Sequence, residues 1–188
     1  MKTLSSLLAL AIAFGCGPTF AADKGKNATP KVSKQKAQET ALKAVPGDVL
    51  RWDLEVADGK PEYAFYIKSK DGRISEVEMD GNSGKKTHVG IQLESGSSDG
   101  KESKTTNAVD LARLKEAKLT KEQAQEKALK AYPGGVERWE LLMWETGEKG
   151  TYVYEFRIAA KSGKKVVAVD SKTGAILSIS IFVDGSSI

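Results

Sequence analysis

Two periodicities alternate along this chain of 188 residues. Ala37, Ala41, Leu42 and Val45 recur at the spacing of one helical face; from Leu50 the apolar positions fall on every second residue. Leu50, Trp52, Leu54 and Val56 then share one face of a strand, and Arg51, Asp53 and Glu55 share the other. The same switch recurs later, with Ala124, Ala128, Leu129 and Tyr132 followed by Trp139, Leu141 and Met143. Pro46-Gly47 and Pro133-Gly134 stand at the two switches, where proline cannot continue a helix and glycine tolerates the turn. Ser33 and Thr120 supply helix caps, and Thr120 with Gln123 forms a capping box.

Three further alternating runs follow each first strand: "EYAFYIKS", "SEVEMD" and "HVGI" in one half, "TYVYEFRI", "KVVAVD" and "ILSISIFV" in the other. Turn residues separate them, including Asp71-Gly72, Ser162-Gly163 and an Asp-x-x-x-Gly stretch at 80–84 and again at 170–174. The pattern predicts an α+β fold. It consists of two tandem modules, each one helix packed on a four-stranded antiparallel sheet in the order α-β-β-β-β, with one sheet face buried.

The two halves are copies. At a constant offset of 87, residues 33–54 and 120–141 agree at 14 of 22 positions. The offset drifts to 91 and then 90 only near glycine and charged residues, where hairpin loops tolerate insertion. The organisation expected is a signal peptide over 1–21, a flexible tail over 22–31, a first module over 32–91, a linker over 92–115 and a second module over 116–183. The linker reading rests on the Ser, Gly and balanced charge of "QLESGSSDGKESKTTN", and Val109 to Lys115 after it reads as a short lead-in turn of helix.

Met1-Lys2, the apolar run Leu4–Phe14 and the small residues Thr19 and Ala21 read as an export signal cut after Ala21. A lipoprotein signal ending at Cys16 is the alternative. Cys16 is the single cysteine, so a chain cut after Ala21 has neither disulfides nor thiolate ligands. No later apolar run is long enough to span a bilayer. The expected location is extracytoplasmic, periplasmic or secreted.

Charge excludes one class of function. The 29 basic and 25 acidic side chains leave +4, spread as 11 against 10 over residues 30–91 and 11 against 9 over 116–183. No basic patch exists to displace counterions from nucleic acid. Candidate chemistry is equally sparse. His88 is the sole histidine and reads as a solvent-facing strand residue. "DGNSG" at 80–84 lacks the twelfth-position acid of a calcium loop, and "SGKK" lacks the glycine spacing of a phosphate loop. Neither a catalytic residue, a metal ligand nor a cofactor site is assigned, and enzyme activity is not expected.

The repeated pattern of "AxxxAL", Pro-Gly, a strand with Trp-[Asp/Glu]-Leu, a tyrosine-rich strand and V-x-[M/V]-D-x-x-x-G resembles the PepSY family of bacterial extracytoplasmic modules. The second copy is the better match. The resemblance implies a binding or inhibitory module, often acting on peptidases. Here it implies binding or inhibition of a secreted or envelope peptidase in trans, with a small-ligand or cation-responsive sensor as the alternative.

One difference between copies offers a site. Leu142 and Trp144 lie on the strand face opposite Trp139, Leu141 and Met143, where the first copy has Glu55 and Ala57; Val153 on the next strand shares that face. Two readings stay open: packing within the chain, or a partner-binding face made by Leu142, Trp144 and Val153.

Overall fold

The computed structural model describes residues 28–145 and 150–183; the signal peptide reading and Cys16 lie outside the described residues. In chain order the elements are α1 (Lys34–Ala44), β1 (Asp48–Ala57), β2 (Lys60–Lys68), β3 (Ile74–Asp80), β4 (Lys86–Ser97), β5 (Glu102–Lys104), α2 (Ala108–Leu114), α3 (Lys121–Ala131), β6 (Gly135–Trp144), β7 (Thr151–Ala160), β8 (Gly163–Asp170) and β9 (Ile176–Val183). Among the described residues, no helix is long and apolar enough to cross a membrane.

Local chemistry sets the helix ends and turns. Ser33 Oγ accepts from the Lys36 amide at 3.3 Å, and Thr120 and Gln123 exchange both bonds of a capping box. At 80 and 170 the Asp side chains accept from the amides two and three residues on, and Gly84 and Gly174 close the turns at positive φ. The repeated Pro-Gly has a different cause from the turn freedom expected of it. A Cβ on Gly47 would sit 2.3 Å from the Lys68 carbonyl oxygen, and one on Gly134 would sit 2.4 Å from that of Ala159. Close backbone approach, not positive φ, demands glycine at both sites.

The expectation of two separate helix-on-sheet modules is overturned by the strand order. The strands form one antiparallel sheet, β3-β2-β1-β9-β8-β7-β6-β4-β5, and β3 pairs in turn with β4. Eight strands therefore close into a ring, with β5 added alongside β4. The last long strand of the first copy pairs with the first strand of the second, from Gly90 opposite Trp144 to Ser97 opposite Arg138. The last strand of the second copy pairs with β1 through Leu54–Val56 and Ile181–Val183 alone. The physical reason is edge satisfaction. An open four-stranded sheet leaves two rows of unpaired backbone groups, and closure removes them.

Closure also reassigns the faces. The apolar face of each half lies outside the ring beneath its own helix. Ala37 and Ala41 pack on Leu54, Phe65, Ile67, Val77 and Met79, and Ala124 and Ala128 pack on Leu141, Phe156, Ile158, Val167 and Val169. The polar alternate face, which reads as solvent-facing, becomes the lumen.

Residues 92–107, which read as a flexible linker, hold the end of β4 and β5, and the short helix expected from Val109 to Lys115 is present as α2. The fully buried Asp110 of α2 accepts from Arg73 Nε at 2.9 Å and from Arg113 Nη1 at 2.8 Å, tying the segment to the β2–β3 turn. Replacing Asp110 by Ala is expected to lower the unfolding free energy by about 1–3 kcal/mol, because both guanidiniums it leaves retain access to water. Urea denaturation checks this; an unchanged midpoint would return the segment to the status of a passive linker.

Candidate functional site

Strand alternation delivers charged side chains to the lumen: Arg51, Asp53 and Glu55 from β1, Tyr66 from β2, Glu76 and Glu78 from β3, Arg138 and Glu140 from β6, and Glu155 and Arg157 from β7. Contacts across the ring confirm that these residues converge. Arg51 Nη2 donates to Glu140 Oε1 at 2.5 Å although three strands separate β1 from β6 in the sheet. Carboxylate oxygens of Glu76 and Glu78 lie within 4.8 Å of one from Glu155, on the opposite wall.

The lumen has two chemically distinct parts. In one, Arg51 and Arg138 both donate to Glu140 Oε1, Arg51 also donates to Asp53, and its guanidinium carbon lies 3.1 Å from the Tyr66 ring centroid. Burial opposes the Arg51 charge, but Tyr66, Glu140 and Asp53 around it more than offset that and hold it protonated. This part is a charge-paired core. Tyr66 then donates to Glu76 Oε1, passing from the paired region into the unpaired one.

The other part is an acidic chamber of about 440 Å3, opening where β1 and β9 part beyond Val56 and Ile181. Six carboxylates line it (Glu55, Asp58, Glu62, Glu78, Asp80 and Glu155) against two basic groups, Lys60 and His88. Glu76, 1% exposed, lies behind this wall; its Oε2 has no hydrogen-bond partner among the described residues. Burial pushes the carboxyls of Glu76 and Glu155 well above the usual range, with neighbouring carboxylates adding to the effect. Glu55 keeps partial solvent access yet is surrounded by protein, and burial pushes it up to about 8 despite a hydrogen bond from Ser180.

The residues singled out from sequence fall on this lumen. Leu142 and Val153 are fully buried there, opposite each other on β6 and β7. Trp144 is half-buried in the chamber wall, over Gly90, with its ring 5.2 Å from that of His88. His88 is exposed on β4, as expected of a solvent-facing strand residue; it also borders the chamber, its Nδ1 is 3.0 Å from Glu78 Oε2, and that hydrogen bond raises its pKa.

Glu55, Glu76, Glu78 and Glu155 were not singled out from sequence, although a signal existed. Their equivalents in the other copy are Leu142, Val166, Ala168 and Ala64, so the fold itself does not require acids at these positions. The acidity is a departure from the repeat.

A pH dependence follows from Glu55. Its folded pKa exceeds its unfolded value near 4.3, so the folded state holds the proton more tightly and stability falls as pH rises from about 4.3 through about 8. Glu78, Asp53 and Glu62 stand close enough for their charge to add to the rise in its pKa. In low-salt buffer without added cations, the melting temperature is expected to drop by roughly 5 °C or more between pH 5.5 and 8.5. Glu55→Gln should reduce that drop. Equal slopes in the two proteins would show that Glu55 does not titrate in this window.

The sequence profile for "Peptidase propeptide and YPEB domain" matches residues 31–87 and 118–179. No curated protein matches the chain. Among solved structures, a crystal structure from Clostridium difficile, of a protein assigned only provisionally as a lipoprotein, aligns at 23% identity with a TM-score of 0.32. The alignment covers 80% of this chain and 93% of that one. With two family matches spanning more than half its length, the chain belongs to the PepSY family.

Proposed function

We propose that this is an extracytoplasmic, non-catalytic binding protein that takes a small cationic ligand into the acidic chamber. The observation that carries the reading is the imbalance of the chamber wall, six carboxylates against Lys60 and His88. In an enclosed space with low-dielectric walls, such an imbalance concentrates the field on whatever cation enters. The family membership and the export signal expected at 1–21 support the location, and the propeptide character of the family supports a binding role over a catalytic one. Trp144 supplies an aromatic face beside the acids, suited to an organic cation.

Thermal unfolding at pH 7.5 tests this with putrescine, lysine methyl ester and calcium chloride, each against sodium chloride of equal ionic strength. At least one cation should raise the midpoint progressively, by the equivalent of about 1.4 kcal/mol at ten times its dissociation constant. The rise should shrink in a Glu55→Gln/Glu62→Gln variant. A response no larger than that to sodium chloride across the whole panel would reject the chamber as a binding site.

A peptidase partner is a second reading, favoured by the family description. The exposed Leu177 and the half-buried Trp144 put apolar surface at the acidic chamber, which suits a basic side chain presented on a protein loop. Dose-dependent inhibition of a purified thermolysin-like metallopeptidase would support it. Undiminished peptidase activity at micromolar concentrations of the chain would count against it.

A further inference from the structure

We infer that Glu76, Glu78 and Glu155 form a binding site for one hard divalent cation. The inference rests on the chamber reading and assigns the inner ligand set within it. Three observations support the assignment independently.

The first is geometric. Glu76 and Glu78 are two residues apart on β3 and so project from one face, while Glu155 reaches them from β7 on the opposite wall. One oxygen from each lies within 4.8 Å of the others. Oxygens that share a calcium ion each lie about 2.3–2.6 Å from it, so no two of them are more than about 5.2 Å apart, and these three oxygens meet that bound. An all-carboxylate donor set selects a hard cation over zinc or copper.

The second is an unmet bond. Glu76 is 1% exposed and its Oε2 has no hydrogen-bond partner among the described residues. A buried carboxylate oxygen without a donor is costly, and an ion is one of the few things that satisfies it. Two other oxygens of the set are held in place. Tyr66 donates to Glu76 Oε1, and Glu78 Oε2 faces His88 Nδ1 at 3.0 Å. Glu76 and Glu78 thus each have one oxygen pinned and one left over, as when outer partners orient the ligands of a metal. Tyr66 and His88 are positioning residues here, not ligands.

The third is the comparison between copies. The positions equivalent to the three acids hold Val166, Ala168 and Ala64. The same backbone is built in both halves, so the acids serve something other than the fold.

The experiment strips the full chain with chelator, then titrates it with manganese(II) while free ion is read by electron paramagnetic resonance and calcium is added as competitor. The wild-type chain should take up one manganese ion that calcium displaces. Glu76→Gln and Glu155→Gln should each weaken binding at least about tenfold. Glu102→Gln, on exposed β5 and outside the chamber, should stay within about twofold. Because burial already pushes both carboxyls well above the usual range, amides of the same shape change little in the ion-free chain; both ligand variants should therefore retain the wild-type far-ultraviolet circular dichroism spectrum and its ion-free melting temperature, which separates ligand loss from misfolding. Wild-type binding no tighter than that of Glu155→Gln, or no uptake at millimolar ion, would overturn the assignment. If manganese and calcium fail while putrescine or lysine methyl ester still stabilises the chain, the metal site falls and the chamber survives. If all of them fail, both fall.

Discussion

Each copy of the repeat folds a helix onto a sheet whose two outer strands have unsatisfied backbone edges, and the molecule is organised by how those edges are paired. β4 meets β6 along a long seam, β9 meets β1 along a short one, and the ring that results has a lumen that neither copy possesses alone. Backbone hydrogen bonding thereby dictates where the charged side chains go. Alternation sends every second residue to the face away from the helices, and closure turns that face inward. The apolar clusters under α1 and α3 then stabilise the ring from outside, while the inside carries charge.

A charged interior is stable only where its charges are answered. Around Arg51 they are: Glu140 receives both Arg51 and Arg138, and Tyr66 lies under the Arg51 guanidinium. Toward the chamber the balance fails, because β3 supplies Glu76 and Glu78 where the matching strand of the second copy supplies Val166 and Ala168. The two parts share one link, the Tyr66–Glu76 hydrogen bond. Fold and function are thus divided between the two sides of the same strands. The outward residues repeat closely between the copies because both pack a helix, and the inward residues diverge.

That division explains what could be read from sequence. The helices, the alternation, the Asp-x-x-x-Gly turns and the family were legible because each follows from local spacing repeated twice. Leu142 and Trp144 were legible as unusual because Glu55 and Ala57 stand at their equivalents. Ring closure was not, since the pairing of β9 with β1 joins residues well over a hundred positions apart and leaves no local pattern. With the ring unknown, Glu76, Glu78 and Glu155 look like ordinary solvated strand acids. Asp110 escaped for a related reason: on a short helix that follows a Ser- and Gly-rich stretch, nothing local shows that a carboxylate will be buried against Arg73 from another element.

The central claim is that one lumen is shared by both copies, and the contact between Arg51 and Glu140 spans it. A double-mutant cycle on Arg51→Ala and Glu140→Ala, read by urea denaturation, measures that contact directly. A shared lumen predicts a coupling free energy of about 1–3 kcal/mol between the two residues. Additive losses, with a coupling within about 0.3 kcal/mol of zero, would mean that the residues do not meet and that the two sheets do not close on each other.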